Sequence, residues 1–357
     1  VYSFADFSTL VVPGLNRDPG IEFFRYLGLL FFMVVTMKTR VLFILLAILA
    51  VAVLVLIIQL SAPEQIAIAS CDDQGDRESK HFLFGMPQWN DGKESDQIIP
   101  RSIYDMSFNF DTKLADWVGY CLDKYRIDGT NSFSGHYPPD HEISEKHQLS
   151  HVEYDCAQGE IGADRGHLAP RASFDKHEDW MQVNYISNIA PQNAYLNQGI
   201  WAVLEEKIRE AVRAGRIVFV VTGPYFSSGD AESTLKLPRT ALNKEYRIPS
   251  GFWKIIAIQD PSGHGNVNAI AFIFENHLPQ VDGLLDMNYP WSVKLADHVV
   301  SIDDIEEITN LDFFPKFELK KQDKLENEIY GGYFLHDLNH NINPPDLKFN
   351  ECQNPTP

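Results

Sequence analysis

Residues 41–58 read VLFILLAILAVAVLVLII, eighteen apolar side chains in succession, and Leu60 follows after the single polar Gln59. No polar position interrupts the run, so it has neither the one-sided stripe of a surface helix nor the alternation of a half-exposed strand. As a helix rising about 1.5 Å per residue it nearly spans a hydrocarbon layer of about 30 Å. Lys38 and Arg40 precede it, and Pro63 and Glu64 follow. Positive charge stays on the cytoplasmic side, which places the bulk of the chain outside. The expectation is one N-terminal transmembrane helix within a membrane anchor or signal segment at 37–60. The run exceeds the usual signal core of about 7–15 residues, which favours a retained anchor; cleavage would leave a secreted protein. Residues 1–36 form an N-terminal extension of unclear role.

An exported domain occupies an oxidising space, where Cys71, Cys121, Cys156 and Cys352 can form two disulfides in any of three pairings. No Cys-x-x-Cys occurs, which argues against a cysteine-held zinc or thioredoxin-type site. Of the 357 residues, 45% are hydrophobic and 22% charged, a balance that excludes global disorder and a polytopic membrane protein. The net charge of -19 speaks against a nucleic-acid partner, because phosphate binding normally leaves a basic footprint. The acidity is uneven, however. Twelve acids face five bases from Asp303 onward, whereas residues 160–220 carry eight acids and seven bases and are almost neutral.

Residues 61–80 read as a polar linker, 81–315 as the folded domain, and 316–357 as an acidic, Asn- and Pro-rich C-terminal tail, draped on the domain or free of it. Within the domain, residues 217–222 (IVFVVT) predict a buried strand that stops at Gly223-Pro224. Residues 252–258 and 269–274 predict two more strands around a turn-rich DPSGHGN. Leu196, Ile200, Val203, Leu204, Ile208 and Val212 recur at helical spacing, with Gly215 just past the end. The mixture predicts an α+β domain.

Chemistry concentrates in two segments. Asp164-Arg165-Gly166-His167 puts a carboxylate, a guanidinium and an imidazole within four residues. Arginine can grip a phosphate through two parallel hydrogen bonds, and histidine can take a proton near neutral pH. Downstream come Asn184-Tyr185-Ile186-Ser187-Asn188, Pro191-Gln192, Leu196-Asn197-Gln198-Gly199-Ile200-Trp201 and Leu204-Glu205. In these motifs, their order and their spacing, the chain resembles the DNA/RNA non-specific endonuclease family of the ββα-metal group. Phe84-Gly85-Met86-Pro87, the hairpin region 108–120, Val221-Thr222-Gly223-Pro224 and the stretch from Ile248 to Lys254 extend the likeness over about residues 81–315.

The resemblance implies a ββα-metal nuclease fold with a central antiparallel sheet and flanking helices. It implies cleavage of phosphodiester bonds in DNA and RNA to 5′-phosphate products. It makes His167 the general base and Asn197 the direct protein ligand of Mg²⁺, with Mn²⁺ a possible substitute. Glu205 would orient metal-bound water, Asn188 support the site, and Arg165 contact the scissile phosphate. Asn197 and Glu205 are eight residues apart, about 12 Å along a regular helix. Either Glu205 acts through water, or the early turn is irregular. An upstream phosphate-binding arginine common in the family is missing at Thr130-Asn131-Ser132-Phe133, leaving Arg126 or Arg171 as substitutes.

Two other readings compete. His136, His141, His147, His151 and Cys156 could hold zinc, with His147 and His151 on one helix face, but Gln148 stands where a zinc protease needs glutamate. A non-catalytic surface protein could also keep the fold for binding or scaffolding, although such a protein has no need of His167, Asn197 and Glu205 together. Trp117, Trp201 and Trp253 sit at apolar-patterned positions and read as core rather than base-stacking residues. The preferred substrate, oligomeric state and protein partners are not readable.

Overall fold

The computed structural model describes residues 26–30, 42–53, 70–73, 79–93, 95–131, 135–227, 234–235, 246–259, 267–278, 294–327, 335–343, 345 and 347. Residues 1–64 and 65–357 form two units. In the first, 26–30 and 42–53 are helical. The apolar run forms a helix because neither proline nor glycine breaks it. Its twelve described residues rise about 18 Å, and among the described residues no helix is long and apolar enough to cross a membrane. The described residues thus supply part of the expected transmembrane helix and no complete span. The remainder of 37–60 falls outside the described residues, as do 1–25.

The second unit is built on strands β1 (Gln88–Trp89), β2 (Gln97–Pro100), β3 (Asp105–Asn109), β4 (Leu114–Leu122), β5 (Ala163–His167), β6 (Ile189–Asn193) and β7 (Val218–Tyr225). They are followed by β8 (Thr234–Leu235), β9 (Tyr246–Arg247), β10 (Gly251–Gln259), β11 (Val267–Glu275), β12 (Val299–Val300) and β13 (Leu311–Asp312). Seven of them make one sheet in the order β12-β11-β10-β7-β4-β3-β2, every neighbouring pair antiparallel. The expected α+β class with a central antiparallel sheet is what is found.

Strand alternation sends successive side chains to opposite faces. Val218, Val220, Phe252, Ile256, Ile270 and Phe272 enter one core, against Leu204, Ile208 and Val212 of the helix Ala202–Arg213. Phe219, Val221, Trp253, Ile255, Ala269 and Ala271 enter the other, against Phe82, Ile302, Ile305 and Phe313. All three tryptophans are core residues as read. Trp117 meets Phe82 edge-on, Trp253 meets Phe313, and Trp201 meets Phe252 and Phe274.

One strand boundary differs from the expectations, and the segments flanking the domain are tied to it. β7 does not stop at Gly223-Pro224 but continues to Tyr225. β4 pairs with it only as far as Thr222, so beyond that point Pro224 lies on an edge where a missing N–H costs no ladder bond. Gly223 is required there, since a Cβ would stand 2.3 Å from the Asp116 carbonyl oxygen. The linker is not wholly separate: buried Cys71 is disulfide-bonded to Cys121, selecting one of the three pairings, and Cys156 is disulfide-bonded as well. The described part of the tail is draped on the domain, one of the two expected alternatives. Lys316 N–H donates to the Phe84 carbonyl (2.9 Å), the helix Leu319–Asn327 follows, and Leu335 is buried in the first core.

Candidate active site

β5 and β6 form a separate antiparallel ribbon, with Asp164 opposite Gln192 and His167 opposite Ile189. Gly166 lies so close to Gln192 that a Cβ would stand 2.4 Å from its Oε1, and only glycine fits. Buried Asn276, just past β11, clamps the ribbon to the sheet. Its Oδ1 accepts from Asn193 N (2.7 Å), while its Nδ2 donates to the Pro191 (3.1 Å) and Pro249 (3.0 Å) carbonyls. Asn193 then caps the next turn, accepting from Tyr195 N (2.8 Å) and Leu196 N (3.2 Å), and so delivers Asn197.

Asp164 receives three amide donors: Asn197 Nδ2 (2.8 Å), Gln198 Nε2 (2.8 Å) and Gln158 Nε2 (2.7 Å). An ionised carboxylate only accepts, so Asn197 must turn its nitrogen toward Asp164 and present Oδ1 as an acceptor on the other side. The helix begins irregularly. Asn197–Trp201 is a π-turn, with Gly199 at φ -100 and ψ -114, before the regular α-helix Ala202–Arg213. The separation of Asn197 from Glu205 therefore does not follow a straight helix, as the second sequence alternative required. Pro345 approaches this kink, lying 3.3 Å from where a Gly199 Cβ would be.

Glu205 lies one turn beyond Trp201 on that helix. Burial raises its pKa, opposed by the charges of Lys254 and Arg209. Lys254 faces the same core from β10 and is wholly buried, its Nζ 4.1 Å from the Trp201 ring centroid and 3.5 Å from the Tyr120 hydroxyl. Burial pulls Lys254 down to about 8, and Glu205 opposes that shift. Arg209 Nη1 donates to Ser173 Oγ (3.4 Å), joining this helix face to the loop that follows His167.

His167 closes β5 and is half-buried. Its Nε2 stands 3.2 Å from Asn184 Oδ1, and its ring lies 5.9 Å from that of Tyr137. Since Oδ1 can only accept, Nε2 carries the proton and Nδ1 is the basic nitrogen. Burial pushes the imidazole down to about 4; the Asn184 contact opposes this and the nearby Arg171 charge adds to it.

The remaining expected residues divide. Arg165 is held by Asp155 Oδ1 (2.8 Å) and the His151 carbonyl (3.1 Å), with its guanidinium 5.2 Å from the Tyr137 ring centroid, so it shares Tyr137 with His167. Asn188 is buried and committed to backbone, donating to Ala169 O (2.9 Å) and Val183 O (2.7 Å) and accepting from Ala169 N (2.8 Å). It fixes the turn after His167, acting through backbone as a supporting residue. Arg126 is buried on Asp72 (3.0 Å), which leaves Arg171 as the arginine beside His167.

The histidine cluster does not assemble. His147 ends one 3-10 turn and His151 begins another, with Gln148 extended between them; His147 stacks on Phe110, and His136 and His151 are 6.5 Å apart by ring centroid. Among the described residues no group of histidines is placed to hold a metal. Sequence reasoning gave no separate role to Asp164, Asn184, Lys254 or Asn276. The available signal was a lysine at an inward-facing position of an otherwise apolar strand and an asparagine at the end of another.

The sequence profile described as DNA/RNA non-specific endonuclease matches residues 81–319. A nuclease of Serratia marcescens is 32% identical over 62% of this chain and 76% of its own length. A nuclease of Nostoc sp. is 26% identical over 79% and 97%. Mitochondrial endonuclease G of Bos taurus is 29% identical over 61% and 69%.

Proposed function

The chain belongs to the DNA/RNA non-specific endonuclease family, and on that premise we propose that it is an exported, metal-dependent enzyme that cleaves DNA and RNA to 5′-phosphate products. The observation that carries the reading is the orientation of Asn197 by Asp164 on the same ribbon that ends in a neutral His167.

The donor set fits Mg²⁺, with Mn²⁺ able to substitute. Asn197 offers a carboxamide oxygen and Glu205 a carboxylate. A small hard cation that keeps most of its water needs few protein oxygens. When bound, the ion would neutralise charge on the phosphate and the leaving oxygen. The protein's own part is to place donors and move a proton. Asn197 would hold the ion through Oδ1, and Glu205, whose carboxylate Lys254 favours against the effect of burial, would orient its water. His167 Nδ1 takes the proton from the attacking water, with Asn184 holding the tautomer. Arg171 and Arg165 supply positive charge where the phosphate enters. A positioned base of this kind contributes about 10²–10⁴ in rate.

Contacts of this type read the phosphate backbone rather than base edges, which supports low sequence preference and action on both polymers. The Cys71–Cys121 bond supports an oxidising, extracytoplasmic location. The test is end-group chemistry on a digested duplex and a digested RNA. Fragments that a 5′-phosphate-dependent exonuclease degrades directly support the proposal, and fragments that need prior 5′-phosphorylation contradict it.

A further inference from the structure

Far along the chain from these motifs, two helices bring three carboxylates together. Ile302–Thr309 is started by Ser301, whose hydroxyl accepts from Asp304 N (3.1 Å) while Asp304 Oδ2 accepts from Ser301 N (2.9 Å). Ile302 and Ile305 enter the second core, and Asp303 and Glu306, three residues apart, are neighbours on the helix surface. Leu319–Asn327 packs against this helix and β11. Its buried side carries Leu325, Gln322 and Glu326, so two of the three inward side chains are polar.

Gln322 is accounted for, since Nε2 donates to Asp312 Oδ1 and the Phe313 carbonyl, both at 2.9 Å. Glu326 is not. It is 5% exposed, and although Gln322 is a donor beside its carboxylate, its Oε1 is buried with no hydrogen-bond partner among the described residues. One oxygen from each of Asp303, Glu306 and Glu326 lies within 4.8 Å of the other two. An ion with bonds of about 2.4 Å to each can bridge oxygens separated by at most about 4.8 Å.

The charges acting most strongly on the three are acidic. Asp304 and Asp323 act on Asp303; Asp312 and Asp303 act on Glu306; Glu306, Asp312 and Asp303 act on Glu326. A buried carboxylate oxygen without a donor is costly, and a hydrophobic side chain of similar size would pack there without that cost. The arrangement makes physical sense when a cation supplies the missing charge.

We propose that Asp303, Glu306 and Glu326 form a divalent-cation site, separate from Asn197, that takes calcium and clamps the helix Leu319–Asn327 to the helix Ile302–Thr309. An all-oxygen set argues against zinc and copper, which favour nitrogen and sulfur. Ligands from two helices, one of them also accepting a backbone N–H from Phe313 (2.7 Å), suit the tolerant coordination of calcium better than the strict octahedron of magnesium.

The experiment uses the full chain, stripped with chelator, and counts bound calcium by equilibrium dialysis with radioactive Ca²⁺ beside melting curves. Asn197→Ala serves as background, so that binding at the nuclease site does not enter the count. In that background the chain should bind one Ca²⁺ and melt higher with calcium than with chelator. Adding Glu326→Gln should abolish both effects, and Glu326→Gln in chelator should melt no lower than its parent, because a buried acid beside two other carboxyls is gone. Adding Asp303→Asn should weaken binding at least about tenfold, and decides the matter if Glu326→Gln fails to fold. No bound calcium in the Asn197→Ala chain, or binding undiminished by either substitution, overturns the proposal.

Discussion

Exchanging the partners at the Asp164–Asn197 contact probes the geometry most sharply. Asn197→Asp gives the metal position a nominally better ligand, a carboxylate in place of a carboxamide. It also puts an oxygen where Asn197 Nδ2 now donates to Asp164 Oδ2 at 2.8 Å. Two unit charges at that distance repel by about 6 kcal/mol at an effective dielectric constant of about 20. Protonating the introduced carboxyl instead costs about 4 kcal/mol at pH 7, starting from the free aspartate value of about 3.9. The smaller figure governs, and a bound cation offsets part of it. The expected loss is therefore at least about 100-fold in kcat/KM, or about 2.7 kcal/mol. The double variant Asp164→Asn with Asn197→Asp restores a donor–acceptor pair with the roles reversed, and should recover at least about tenfold over Asn197→Asp alone. The assay is the initial rate of plasmid nicking at saturating Mg²⁺ and neutral pH, with circular dichroism to show that each variant folds. An Asn197→Asp enzyme as fast as the parent, or a double variant no faster than the single one, refutes the idea that Asp164 aims this side chain.

Other expectations follow from the same contacts. Lys254→Met removes the charge that draws Glu205 down, so the acidic limb of the pH–rate profile should move to higher pH; an unmoved limb contradicts the coupling. His167 should titrate near pH 4 rather than near 6.5 when followed by NMR in metal-free protein. The linked stability change has a definite sign: the unfolded chain takes up this proton below about pH 6.5 and the folded chain does so only near 4, so acidification through that window destabilises the fold. Replacing Cys71 and Cys121 by alanine opens a cross-link between residues 50 apart, and should lower the unfolding free energy by about 4 kcal/mol in denaturant titration. A loss below about 1 kcal/mol would show that the unfolded chain is not the state being constrained.

How much of this was legible depends on the kind of signal each residue carries. The helix over 202–213 and the hairpin of β10 and β11 announce themselves, because burial of one face imposes a period on the apolar residues. His167, Asn197 and Glu205 were singled out by their linked motifs. Asn276 was not, because its importance lies in three contacts to residues 27 or more positions away, which no local pattern encodes. Lys254 looked like an ordinary strand residue until Tyr120 and Trp201 were seen to enclose it. The motif marked Asn188 as a supporting residue but not which backbone groups it ties, since these lie as far as 19 positions away. The continuation of β7 through Pro224 depends on where β4 ends, a property of the sheet rather than of the strand. Glu326 sits in a segment whose composition suggested a solvated tail, and only the packing of its helix buries it.

The central claim is that a neutral His167 and an Asp164-aimed Asn197 make this chain a metal-dependent nuclease of DNA and RNA. The direct measurement is a time course of plasmid and RNA digestion by the purified chain in Mg²⁺, in Mn²⁺ and in EDTA, run beside His167→Ala. The account predicts loss of both substrates with either ion, none in EDTA, and none with the folded His167→Ala protein. A folded parent that leaves both polymers intact in both ions, or a His167→Ala protein that digests them at the parent's rate, contradicts it.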